Sequence, residues 1–331
     1  MSLTNIFWGI IGCGDVTEVK SGPAFNKVPN SRLYAVMRRD GEKAKDYARR
    51  HGVPVWYDDA EALINDPLVN AIYIATPPLQ HEEYTLKALK AGKPVYVEKP
   101  MTLDAASAQR MENAAVLSGG KLCVAHYRRQ QPMFLKVKEL LDNKRIGDIR
   151  FVQLEMFQPN NSDIIASSEE YWRLDPKISG GGLFHDLAPH QLDLMIYFFG
   201  APVQAAGISL NQARLYPADD LVSGQILFKD NVLFSGTWCF TVSPQSQSDS
   251  CEIIGSRGSI RFPIFGQNIH VTIDGHTETI VFDPLAHVQQ PMIEKVVDFF
   301  LNRGENPCSG NDAILSMKLL DRFTSARLKN R

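Results

Sequence analysis

No window of this chain approaches the roughly 18 to 20 continuous apolar residues that a membrane helix needs, so a water-soluble protein is expected. The opening residues, Met1-Ser2-Leu3-Thr4-Asn5, carry no basic stretch and no small-residue cleavage site, and the cytoplasm is the expected compartment. Cysteine is sparse. Cys13, Cys123, Cys239, Cys251 and Cys308 are odd in number, scattered and never in C-x-x-C spacing, which argues against a disulfide framework and against a zinc knuckle; no metal site is expected. Net charge is small as well: at −2 the chain lacks the single-sign field that binding a nucleic-acid backbone requires. Internal repeats and low-complexity tracts are also missing.

What is present is enough chain for two domains, since a single core stops growing efficiently well below 331 residues. The rhythm of the sequence puts the boundary near residue 125. Over 1–125, apolar runs at 6–11, 33–37, 70–75 and 95–97 alternate with helical stretches at 42–50, 81–90 and 104–117. Short connections between such elements predict an α/β domain with a doubly wound parallel sheet, because parallel strands need covered crossovers. Over 126–331 the pattern changes to α+β: a helix at 132–142, a strand at 149–157, and an amphipathic helix running to Phe199. Successive strands then fill 203–282, with turns such as Lys229-Asp230-Asn231 and Asp274-Gly275, and predict a large, mostly antiparallel sheet. Two helices, about 287–301 and 313–328, close the chain. A sheet with one face free of helices would need a partner, so a homodimer or homotetramer through this domain is expected.

Gly12-Cys13-Gly14-Asp15-Val16-Thr17 sits just after the first strand and opens a helix, the context in which Gly-x-Gly signals a dinucleotide. Gly12 allows the tight turn, and Gly14 lets the backbone approach a pyrophosphate at the positive end of the helix. Thr17 stands where the fingerprint has its third glycine or alanine. About 20 residues on, where an NAD site normally has an acidic residue on the ribose, the chain reads Arg38-Arg39-Asp40. Two guanidiniums suit a 2′-phosphate, so NADP is preferred; Asp40 keeps NAD possible.

Lys99 ends a strand of the parallel sheet, the edge where ligands bind in such folds, and Pro100 after it restricts its backbone. Asp186 and His190 are four apart, which on a helix places them about 40° apart on one face. A carboxylate there favours and orients an imidazole able to take a proton at neutral pH. Pro189 between them predicts that these positions lie in the first helical turn, where a missing N–H costs little. No Y-x-x-x-K pair near the end of the first domain competes with this arrangement.

Ala75-Thr76-Pro77-Pro78, His81 and Glu98-Lys99-Pro100, followed by Tyr127-Arg128-Arg129, Tyr171-Trp172-Arg173, Gly180-Gly181-Gly182 and Asp186-x-x-x-His190, resemble the Gfo/Idh/MocA oxidoreductase family over nearly the whole chain. The resemblance implies a Rossmann domain followed by a substrate domain. It implies Lys99, Asp186 and His190 as catalytic residues, and a Lys99–Pro100 bond that is cis. Cofactor contacts would come from Gly12, Cys13, Gly14, Asp15, Val16, Arg38, Arg39, Ala75, Thr76, Pro77, His81, Glu98, Lys99, Trp172 and Arg173. Substrate contacts would come from Lys99, Tyr127, Arg128, Trp172, Asp186 and His190, a mixture of aromatic rings and donors suited to a polyhydroxylated ligand. The implied reaction is hydride transfer between NADP, or NAD, and a secondary alcohol or ketone of a sugar, polyol, cyclitol or related diol. Two alternatives stay open within the same superfamily: a redox-neutral glycosidase that holds NAD tightly, and a non-catalytic NAD(P)-sensing regulator.

Overall fold

The computed structural model describes residues 4–160, 162, 164 and 172–325; Tyr171 lies outside them. The chain forms two compact units, Met1–Arg128 with Leu285–Ile314, and Arg129–Pro284 with Leu315–Arg331.

In the first unit, the expected alternation runs β1 (Ile6–Ile11), α1 (Asp15–Val19), β2 (Ser31–Met37), α2 (Gly41–His51), β3 (Val55–Tyr57), α3 (Ala60–Asn65), β4 (Ala71–Ile74), α4 (His81–Lys90), β5 (Val95–Val97), α5 (Ala105–Ser118) and β6 (Leu122–Val124). Asp40, Asp59 and Asp104 cap α2, α3 and α5 by accepting backbone N–H bonds, which fixes where each crossover turns helical. All strand pairs are parallel, in the order β3-β2-β1-β4-β5-β6. The chain therefore reverses its winding between β1 and β4, and that switch point is where open α/β sheets bind ligands. Register matters here: Met37, Ile11, Ile74, Val97 and Val124 lie in one row, so the residues after them leave the sheet side by side.

The second unit follows with α6 (Pro132–Asp142), β7 (Ile149–Phe157), α7 (Pro176–Ser179), α8 (Leu183–Phe199), β8 (Gln204–Leu210), β9 (Leu221–Leu227), β10 (Leu233–Cys239), β11 (Ser248–Gly255), β12 (Gly258–Phe262), β13 (Asn268–Ile273) and β14 (His276–Val281). Of the last two helices, α9 (Gln290–Phe300) belongs to the first unit, and most of α10 (Gly310–Thr324) to the second. The eight strands are ordered β14-β13-β12-β11-β7-β10-β9-β8 and pair antiparallel, except for the parallel pair β7–β10. One face is apolar and covered: Phe184 of α8 meets Trp238 at 5.2 Å, and Phe323 of α10 lies so close to Gly224 that a Cβ there would stand 2.3 Å from its ring. The other face keeps Phe151, Ile208 and Leu233 exposed by 41, 44 and 41%.

Two expectations about the catalytic helix need correction. α8 is buried on nearly every side rather than amphipathic, with Phe184 packed on Trp238 of the sheet. Its start is also earlier than Pro189 implies. Gly182, at φ +79°, begins the helix at Leu183, so Asp186 lies in the first turn but Pro189 and His190 lie inside the helix. Proline there removes a helical N–H bond, a cost that burial of the surrounding residues outweighs.

Candidate functional site

Four adjacent strand ends of the first unit carry the expected cofactor residues to one edge. After β1, Gly12 takes φ +93°, and a Cβ on it would stand 2.8 Å from both the Thr76 nitrogen and its methyl carbon. Only glycine lets the β1 and β4 loops approach this closely. At Gly14, which caps α1 with no side chain, a Cβ would meet nothing within 4 Å, and the backbone faces open space. On the β4 loop that Gly12 approaches, the buried Thr76 Oγ1 has no hydrogen-bond partner among the described residues. These features fit a pyrophosphate: open space at the glycine turn that begins α1, and a buried hydroxyl with no partner among the described residues. Thr17, in place of the third glycine, is buried; its hydroxyl donates to the Gly14 carbonyl (2.7 Å), and its own carbonyl accepts from Tyr47 (2.8 Å). Cys13 is buried and its N–H donates to the Met37 carbonyl at 3.2 Å, while burial pushes its thiol up to about 12 against the nearby Arg38 charge. Asp15 is exposed and Val16 half-buried.

After β2, Arg38 is half-buried and Arg39 exposed. Asp40 accepts the Lys43 N–H at 3.2 Å as the cap of α2, so its carboxylate already has a structural task. After β4 come Ala75, Thr76 and Pro77; after β5 come Glu98 and Lys99, with a cis Lys99–Pro100 bond. After β6, Tyr127 and Arg128 leave the same edge, both buried, with the Arg128 guanidinium 5.6 Å from the Tyr127 ring centre. His81 and Glu98 take inner positions. His81 is fully buried, with Nε2 2.7 Å from the Thr76 carbonyl and Nδ1 3.0 Å from that of Pro100, so it ties the β4 and β5 loops together. Burial pulls its pKa down to about 4, against those carbonyl contacts. Glu98 is 5% exposed and accepts from Tyr73 (2.5 Å), from Gln289 (2.6 Å) and from the Lys99 N–H (3.1 Å).

In the second unit, Asp186 accepts from Arg173 Nε at 3.1 Å, and the Arg173 guanidinium lies 4.3 Å from the Trp172 ring centre. The three residues thus form one cluster at the start of α8. His190 is 4% exposed, its ring edge-to-face with Phe265 at 5.7 Å. The Phe265 and Ile264 N–H groups are held by the Asp249 carboxylate at 2.8 and 2.9 Å. One turn on, Asp193 makes a buried two-point pair with Arg129 at 2.8 and 2.9 Å, which anchors α8. Asp193 continues the spacing of 186 and 190 on one helix face, a signal available in the sequence; Phe265, Asp249 and Gln289 leave none. Among the described residues, no three His, Cys, Asp or Glu side chains gather as metal ligands, and no helix is long and apolar enough to cross a membrane.

The sequence profile of the GFO/IDH/MocA oxidoreductases, an NAD-binding Rossmann fold, matches residues 6–126, and that of their C-terminal domain matches 134–261. Oxidoreductase P35 of Formosa agariphila is 48% identical over 97% of this chain and 98% of its own length. The chain belongs to the GFO/IDH/MocA family. It is an NAD(P)-dependent oxidoreductase. A trans-1,2-dihydrobenzene-1,2-diol dehydrogenase of Oryctolagus cuniculus is 31% identical over 76% of this chain and 71% of that protein. Levoglucosan dehydrogenase, solved with NADH and levoglucosan, superposes with a TM-score of 0.87 at 20% identity, covering 97% of this chain and 96% of the other.

Proposed function

We propose that this GFO/IDH/MocA oxidoreductase interconverts a secondary alcohol and its ketone on a sugar, polyol, cyclitol or related diol, with NADP as the preferred dinucleotide. The observation that carries the reading is the single row of strand ends that delivers Gly12, Arg38, Thr76 and Lys99 to the switch-point edge. The relatives named for dihydrodiol and levoglucosan support the substrate class, since both compounds are cyclic and bear secondary hydroxyls.

The turn at Gly12, Cys13 and Gly14 and the start of α1 that follows it would hold the pyrophosphate, and Arg38 and Arg39 the 2′-phosphate. The bound dinucleotide supplies or takes up the hydride. Lys99 contributes a fixed ammonium charge for the substrate oxygen, and His190 takes or returns the hydroxyl proton on a ring nitrogen. Arg173 pairs with Asp186 and stacks on Trp172; Trp172 and Asp186 would contact the substrate, and Trp172 and Arg173 the cofactor. Tyr127 and Arg128 complete the proposed substrate set. A second copy of the chain is the proposed partner, covering the open face of the eight-stranded sheet.

The cofactor reading is tested by following 340 nm absorbance with NAD and NADP against levoglucosan, myo-inositol, D-glucose and trans-1,2-dihydrobenzene-1,2-diol. Turnover of at least one compound is expected, with a higher kcat/KM for NADP. Loss of a charge-assisted bond in Arg38→Ala or Arg39→Ala should cut the NADP-to-NAD ratio by about tenfold. An unchanged ratio in both variants removes the NADP assignment.

A further inference from the structure

Glu98 is itself buried and accepts three hydrogen bonds, two of them from fully buried side chains. Its Oε1 accepts from the Tyr73 hydroxyl at 2.5 Å and from the Gln289 amide at 2.6 Å; its Oε2 accepts the Lys99 N–H at 3.1 Å. Tyr73, Tyr96 and Gln289 are each 0% exposed. Tyr73 also lies 3.1 Å from Ser21 Oγ, in the first crossover, and the Gln289 carbonyl oxygen accepts from Tyr96 at 3.2 Å. The Gln289 main chain is held as well, since its N–H donates to the Lys20 carbonyl at 3.3 Å and its carbonyl receives the first turn of α9. Gln289 therefore ties together the crossover after β1, strand β5, and the loop that bears Lys99. It arrives from a segment 191 residues later in the chain.

We propose that Gln289 and Tyr73 are positioning residues for the reaction: they fix the Glu98 carboxylate, which in turn fixes the main chain of Lys99. The inference rests on the reading of Lys99 given above. Three donors converge on the two oxygens of this one carboxylate, and this constrains its orientation. Tyr73 and the Gln289 amide can only donate toward a carboxylate, whose remaining oxygen then has one orientation left, toward the Lys99 N–H. Displacing a charged group by about an ångström costs up to about a hundredfold in rate, so slackening the network should lower kcat without weakening nucleotide binding.

The test uses the full-length protein, the panel compound with the highest turnover, and four measurements: kcat, KM, the NADP dissociation constant by intrinsic fluorescence, and the thermal midpoint. Tyr73→Phe deletes one oxygen, and Gln289→Glu sets two carboxylates face to face. Each is expected to lower kcat about tenfold or more, with KM and the NADP constant within about twofold of the parent. Adding Glu98→Gln to Gln289→Glu restores an amide-to-carboxylate bond in the opposite sense. It leaves an amide oxygen for the Lys99 N–H, and kcat should return to within about threefold of the parent. A lower midpoint with unchanged kcat, or no recovery in the exchanged pair, overturns the proposal. So does an NADP constant that weakens in step with kcat, which would make Glu98 a nucleotide ligand. If Gln289→Glu does not fold, Tyr73→Phe alone decides. Lys99→Ala separates the two readings: if it keeps full activity the role of Lys99 falls, whereas an inactive Lys99→Ala beside fully active network variants removes only the positioning role.

Discussion

Single residues announced themselves in the sequence where the backbone constrains their identity. Gly12 is legible because only glycine tolerates its φ and the contact with Thr76, and Lys99 because a proline follows it at a strand end. His81 was legible as a neighbour of the site, but its inner position was not, since a histidine that ties two loops reads like one that faces a ligand. Burial holds His81 at about 4, and likewise His185, against the Gly181 backbone and the Asp219 charge. In the unfolded chain both take a proton near the ordinary histidine value of about 6.5. Between about pH 6.5 and 4 the unfolded state therefore binds more protons, and stability falls as pH drops through that window. The thermal midpoint should decline over this range, and less steeply in His185→Leu; equal slopes in the two proteins contradict the assignment.

Among the elements, the long apolar and alternating segments were readable. α6 and β7 occupy the spans that periodicity marks, because an amphipathic turn pattern and a nine-residue alternation leave few other solutions. β3 leaves little trace: Val55-Trp56-Tyr57 is apolar, but it is only three residues long, follows Pro54, and lies partly buried at the sheet edge, too short to establish an alternation. Pro189 misdirects the start of α8, because the Gly180–Gly182 turn and the burial of Leu183 and Phe184 set the start independently of it. The open face of the eight-stranded sheet is the element that bears on assembly. Phe151 pairs directly with Leu233, and Ile208 lies on the same face, giving an apolar surface of the kind that self-association covers. Light scattering should report a dimer or tetramer, and Phe151→Asp with Leu233→Asp should reduce its mass. A monomeric parent protein excludes the sheet as an interface.

For the molecule as a whole, fold class followed from the change of rhythm near residue 125, since parallel and antiparallel sheets impose different connections. The return of Leu285–Ile314 to the first unit has no counterpart in any local pattern. It is secured by contacts far apart in sequence: Phe300 against Trp8 at 5.5 Å, Lys121 on the Asn302 side chain at 2.7 Å, and Gln289 on Glu98. The catalytic assignment likewise depends on residues that the sequence separates by more than ninety positions, Lys99 and His190. Its most direct test is the rate of NADP-linked turnover in His190→Ala and Lys99→Ala, each checked for NADP affinity. Loss of a hundredfold or more in kcat with the nucleotide still bound at the parent affinity is the expected result, in line with the roughly 10²–10⁴ that a positioned acid or base contributes. Turnover within about threefold of the parent in either variant would show that the chemistry is done elsewhere.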